Sequence, residues 1–229
     1  FKIVAIRLEG NDEAQVIFET LNARGTPLLA LDLVKNAVFQ AIGHNSGAVE
    51  QLHDEVWEPE LGLPYWREEV RQGRLTRPRA ELFLMHWMTM KLATRGIIKA
   101  PIRSDRLFQT FSSEILKDPN SDGPEALIRE LVEDARAMRH LDDLEPASPE
   151  GRFLRTTDYL DTSVFFPLAL YVFTNPEVSI ETRREVLAII ESVQVRRTLI
   201  GLTGKGYNLI TLNLLRAIGS SDEDAAKFT

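Results

Sequence analysis

From Ala80 to Thr94 the sequence reads AELFLMHWMTMKLAT, which is apolar on nearly every side of a helix. A helix without a wet face has to be enclosed by other elements, so this stretch places a buried central helix in a multi-helix bundle. Met85, Met88 and Met90 read as core filler. His86 reads as a core or groove histidine, because no second ligand stands three or four residues away.

Amphipathic periods surround that helix. Ala14, Ile17, Phe18 and Leu21 share one helical face, and Leu31, Val34, Val38 and Ala41 share another. The two helices meet at Asn22-Ala23-Arg24-Gly25, with Pro27 just beyond, which is stop and re-start chemistry. Further helices are expected from Ser46 through Trp57, broken by Pro59, Gly62 and Pro64, and from Tyr65 to Gln72, with Gly73 to Pro78 a loop. Ser104 caps a helix carrying Leu107, Phe108, Phe111 and Ile115. Pro124 starts a long helix to about Leu141, with Leu127, Leu131, Ala135 and Met138 inward and Glu130, Glu133 and Asp134 in water. The acidic, proline-containing stretch Asp142 to Gly151 is the best linker.

Tyr159 to Phe173 is apolar and admits Pro167 only at a kink or a start. Ser179 caps the next helix, with Val186, Ile189, Ile190 and Val193 inward, running into Arg196 and Arg197. After the loop Gly201 to Gly206, Tyr207 to Ile218 is the last helix and Ser220 to Thr229 a polar tail. Phe1 to Leu8 reads as a strand. The expected class is mainly α, a multi-helix bundle with one short N-terminal strand.

Composition narrows the function classes. Cysteine is absent, which excludes disulfides and thiolate zinc sites and fits a reducing compartment. No apolar run approaches the roughly 20 residues that span a bilayer. A soluble, cytoplasmic protein with no membrane partner is the expectation. The net charge of −7 argues against coating nucleic acid through the overall field. Charge is uneven, however. Tyr65 to Arg106 holds ten basic and four acidic residues, whereas Leu107 to Asp161 holds six and thirteen, which is reason to look for an anionic partner.

Two sets of residues have ligand chemistry. Arg24 offers a donor fork matched to phosphate beside Asn22, and Lys35 and Asn36 follow one turn into the second helix. The structural alternative has Asn22 capping, Asp32 pairing with Lys35 or Asn36, and Arg24 in water. Arg196 and Arg197, and likewise Arg71 and Arg74, suit a DNA backbone, but a helix C-terminus alone accounts for the arginine pair. Gly201-Leu202-Thr203-Gly204-Lys205-Gly206 is not a phosphate loop: the glycine spacing is wrong, a helix precedes it, and glycine follows the lysine. No catalytic residue and no metal ligand set is assignable.

The run from Phe18 to Leu28, FETLNARGTPL, followed by Leu31-Asp32-Leu33-Val34-Lys35-Asn36, resembles the FExLNxRGxxL and DLxKN signature of GmrSD-type restriction endonucleases. Val195 to Gly201 and Thr203 to Asn208 resemble that family's RRxxxGxxTxxYN stretch. The resemblance implies an upstream ParB-like domain carrying an Asp-Gly-Gln-Gln-Arg motif and a downstream HNH-type nuclease. The first motif does not occur here, and His44, His53, His86 and His140 form no compact His-Asn-His set.

The chain is therefore expected to be a piece of a longer protein, beginning just after the glutamine-pair motif. Residues 1–45 would be the tail of the ParB-like domain, with Phe1 to Leu8 its last strand, and 46–145 and 146–229 two helical subdomains. Nucleotide and a divalent metal are implied for the full-length NTP-dependent endonuclease and neither for this segment. Its implied partners are the adjoining domains and duplex DNA, with oligomerisation left open. The alternative is a helical protein-interaction module with no nucleic-acid role.

Overall fold

The computed structural model describes residues 29–43, 46–73, 75–202 and 204–226, the side chains of 46 and 221–226 excepted. Ten helices are named here: α1 Ala30–Ile42, α2 Ser46–Leu52, α3 Glu58–Leu61, α4 Arg79–Thr94, α5 Leu107–Thr110, α6 Pro124–His140, α7 Pro149–Tyr159, α8 Phe166–Thr174, α9 Ile180–Leu199 and α10 Tyr207–Ala226. Strands β1 Glu69–Gln72 and β2 Leu75–Pro78 form an antiparallel hairpin, Gln72 facing Leu75. The fold is mainly α. The strand expected at Phe1 to Leu8, the helix from Ala14 and the Asn22 to Gly25 junction lie outside the described residues.

Helix α4 is the axis of the fold. Eleven of its sixteen residues are buried, so its neighbours must lie all around it. Helices α1, α6, α8 and α10 all pack on it. Leu31, Val34 and Val38 of α1 enter the core, while Ala41 stays exposed. One continuous cluster runs from Leu31 through Trp87 and Ile128 to Phe165 and Leu215. Residues on both sides of the Asp142 to Gly151 stretch share it, and Glu150 and Gly151 within that stretch are buried.

Buried polar groups lock the helices in register. Trp87 Nε1 donates to Asp134 Oδ2 at 2.7 Å, tying α4 to α6. Glu60, 2% exposed, accepts both forks of Arg139 at 2.6 and 2.9 Å, tying α3 to α6. Gln194 Nε2 donates to Thr157 Oγ1 at 3.1 Å and to Thr162 Oγ1 at 3.0 Å, joining α9 to α7 and the turn after it.

Several sequence expectations change. Tyr65 to Pro78 is a 3₁₀ turn, Pro64–Arg67, followed by the hairpin rather than a helix and a loop. Pro59 does not break its helix: the wide turn His53–Trp57 feeds it into the first turn of α3, where its missing N–H is not needed. Asp134 is buried under the Trp87 indole, not in water. The inner face of α9 is Leu187, Ile190 and Gln194, while Ile189 is 64% and Val193 36% exposed. A polar residue with two hydroxyl partners belongs to that face, so choosing the face by apolarity alone rotates it by about a quarter turn. Helix α10 continues through Ser220 to Ala226 in place of a tail from Ser220. Pro167 sits in the first turn of α8 and Ser179 Oγ caps α9 by accepting from Thr182 N–H at 3.1 Å, as read from the sequence.

Helix α10 reaches α4 through a glycine. A Cβ added at Gly219 would lie 1.8 Å from the Thr94 carbonyl oxygen, so only glycine allows the two backbones to meet there. Gly219→Ala is expected to cost about 1–3 kcal/mol by overpacking. Chemical denaturation of both proteins measures it, and an unchanged midpoint contradicts the packing.

Candidate functional site

The helix ends create the site. Many helices stop at a left-handed residue that turns their last carbonyls onto later N–H groups, and glycine usually supplies it. At α9, Gly201 has φ 69°, Gly201 N–H donates to Thr198 O at 3.0 Å and Leu202 N–H to Arg197 O at 2.9 Å. At α7 the equivalent residue is Asp161, φ 52°, with Asp161 N–H on Asp158 O and Thr162 N–H on Thr157 O. Aspartate tolerates this conformation better than most side chains. It also accepts the Gly73 N–H at the hairpin tip through Oδ1 at 2.9 Å, while Gln72 Nε2 donates to Ser163 Oγ at 2.8 Å. The hairpin is thus clipped onto the turn between α7 and α8.

Under the clip lies a cavity of about 300 Å³, with an adjoining hollow of about 440 Å³, and Gln72, His86, Asp161 and Ser163 line both. Met85, Val164, Pro167 and Leu212 supply apolar wall in the smaller one, and Thr89, Asn208 and Thr211 its other polar groups. The His86 ring stacks on Phe166, centroids 5.5 Å apart at 26°. Among the described residues no hydrogen bond reaches its nitrogens, and Thr211 Oγ1 is buried without a partner. Burial lowers His86 from 6.5 to about 4. At neutral pH the ring is therefore an uncharged donor and acceptor, not a cation.

At the rim of the larger hollow, Tyr65, Arg79 and Asp142 close on one another. Tyr65 Oη donates to Asp142 Oδ2 at 2.9 Å, and Arg79 Nη1 donates to the same oxygen at 2.7 Å. The guanidinium lies 4.5 Å from the Tyr65 ring centroid. Burial, with the Asp142 charge adding, raises the Tyr65 phenol above its ordinary value, so it stays protonated. Each member has a partner inside the set, and Arg79 Nε also donates outward to Glu68 Oε2 at 3.1 Å. Chemically the cleft can hold an uncharged hydrogen-bonding group. Among the described residues no carboxylate is hydrogen-bonded to His86, whose shift comes from burial.

The residues singled out in the sequence do not converge here. Asn22, Arg24 and Arg74 lie outside the described residues. Lys35 Nζ is 3.7 Å from Glu58 Oε2, and Asn36 is exposed. Asp32 pairs with neither: it accepts the Leu29 N–H at 2.8 Å, completing the start of α1, and Arg67 lies 3.4 Å from its other oxygen. Arg71 Nε donates to the Gly73 carbonyl at 2.9 Å and so stiffens the hairpin tip. Arg196 is exposed at the end of α9, whereas Arg197 is half-buried with its guanidinium 5.1 Å from the Tyr207 ring centroid. That ring packs on Phe165 at 4.9 Å.

Arg71 reaches the 161–165 segment through Gly73 and Arg197 reaches it through Tyr207, while α1 lies against α4, α5 and α6. Sequence reasoning did not find Asp161, Ser163 or the Tyr65, Arg79 and Asp142 set. Except for Arg79 with Tyr65 and Glu68, their partners are 63 to 91 positions apart, and no local spacing announces them. Compared with models of known protein families, with curated proteins and with solved structures, the chain matches none.

His86 and Asp134 make opposite demands on pH. Unfolded imidazole takes its proton near 6.5 and the folded ring near 4, so the unfolded chain binds more protons between those values and His86 makes stability fall as pH drops. Asp134 is raised from 3.8 to about 6, mainly by burial and against the pull of Lys91 and the Trp87 hydrogen bond. In that window the folded chain binds more protons, so Asp134 makes stability fall as pH rises. Between pH 7 and pH 5 the two should largely offset. His86→Phe is expected to gain, and Asp134→Asn to lose, about 1–2 kcal/mol relative to wild type on acidification. Urea unfolding at both pH values tests this; parallel shifts in the two variants contradict it.

Proposed function

We propose that this chain is a non-catalytic helical segment of a bacterial restriction protein of the GmrSD type, joining a nucleotide-hydrolysing part to a nuclease that acts on foreign, modified DNA. On this reading the NTP and the divalent metal belong to the upstream part, and the segment works as a strut between two activities. It functions in the cytoplasm, beside the domains it connects.

The observation that carries the reading is how the second resembling block is used. Arg197 and Tyr207, distant within the RRxxxGxxTxxYN stretch, stack on one another, and Gly201 and Gly206 between them both take left-handed backbone. In the described part of the first block, Leu31 and Val34 enter the core and Asp32 caps α1. Such side chains hold helices together, which is the role expected of a connector.

A protein-interaction module with no nucleic-acid role is the second reading. It is favoured by exposed Leu199, Ile200 and Leu209, which are 80%, 72% and 57% accessible.

The purified chain is expected to turn over neither NTPs nor duplex DNA in the presence of magnesium or manganese. Metal-dependent turnover that survives repeated purification overturns the non-catalytic assignment. The coding sequence immediately upstream of Phe1 is expected to encode the Asp-Gly-Gln-Gln-Arg motif. An in-frame stretch without it removes the family assignment.

A further inference from the structure

We propose that the outer face of α9 is a self-association seam on which a second copy of this chain packs antiparallel. Away from the buried Leu187, Ile190 and Gln194, the helix presents exposed Thr182, Glu185, Ile189, Arg196 and Leu199, with half-buried Ser192 in the same row. Their spacing alternates between three and four residues, which keeps a row facing one partner helix along the length of a contact. Ile189 is 64% and Leu199 80% exposed, one apolar side chain toward each half of that row. Glu185 and Arg196 are exposed and, among the described residues, neither has an ion-pair partner.

Charge selects the occupant and its direction. In an antiparallel pair about a two-fold axis between residues 190 and 191, Glu185 faces Arg196 of the second copy, and the same pair recurs at the other end because the interface is isologous. Ile189 then faces Ser192, large against small, and Thr182 faces Leu199. All three layers arise from one register. A parallel pair would oppose Glu185 to Glu185 and Arg196 to Arg196, which repel. Nucleic acid fits the face less well, since Glu185 would repel phosphate and Ile189 would bury nothing. The seam uses Arg196 and leaves Arg197 on Tyr207.

Sedimentation equilibrium of the full chain over a concentration series tests the proposal. Wild type is expected to approach twice the monomer mass. Glu185→Arg or Arg196→Glu alone brings like charges face to face at both ends and is expected to weaken association about tenfold or more. The double variant E185R/R196E reverses every pair and is expected to recover association to within about threefold of wild type. Both positions are exposed, so thermal melts should coincide across the set.

A monomer at every concentration, a dimer indifferent to both single changes, or a double variant that stays monomeric overturns the seam. So does a monomeric wild type whose salt-dependent affinity for a duplex oligonucleotide is lost in R196E, because the face then belongs to nucleic acid.

Discussion

Everything in this fold is fitted around a helix that has no side for water. Trp87, Phe83, Leu84, Met88 and Leu92 of α4 are all fully enclosed. Each such side chain contributes roughly 1.5–3 kcal/mol only while its covering is complete. Four helices share that covering, and none can leave without uncovering part of α4. The few polar atoms on α4 therefore have unusual leverage. Trp87 Nε1 and Thr89 Oγ1 find partners on α6 and at Ile102, and these bonds fix how the surrounding helices slide against the axis. An unpaired polar atom in such a place costs more than its bond would contribute, so the partners specify register more than they add stability.

Helix endings carry the second layer of organisation. Helices α4, α7 and α9 stop by the same backbone device, at Gly96, Asp161 and Gly201. Two of the three use the residue without a Cβ. The third accepts a strained conformation, and the carboxylate it gains there clips the hairpin across the cleft. A strained residue persists only where its surroundings over-determine it, and here the Gly73 N–H and the Gln72 to Ser163 bond do so together. Asp161→Gly would relax the backbone and release the clip, so the two roles of one residue oppose each other.

What was legible in the sequence follows from range. The all-round apolar α4 and the starts at Pro124, Pro167 and Ser179 are local signals, and each one places its element. The hairpin was not legible because its strands are four residues long and carry charge on both faces, with Gly73-Arg74 in place of a stronger turn pair. Asp134 was misassigned and Gln194 left off the inner face for a shared reason: a polar residue at an inward position gives no inward signal until its partner, tens of residues away, is known. The cleft is built from such long-range pairs almost entirely. His86 was placed correctly in advance, because a helix apolar all round leaves a histidine no outside to face.

The arginine pair shows why motif and role must be separated residue by residue. Arg196 and Arg197 are adjacent, equally charged and equally near a helix C-terminus, and sequence gives no ground to divide them. A step of about 100° around the helix does. It carries Arg197 over Tyr207, where its charge meets an aromatic face and its stem packs beside the core. It leaves Arg196 on the row with Glu185 and Ile189, facing outward. One arginine thus shapes the turn into α10, and the other is available to something beyond the chain. A charge reading that treats them as a single basic patch assigns to one surface two groups with different surroundings. The orientation of α9, set by Gln194 and its two hydroxyl partners, is what decides between them.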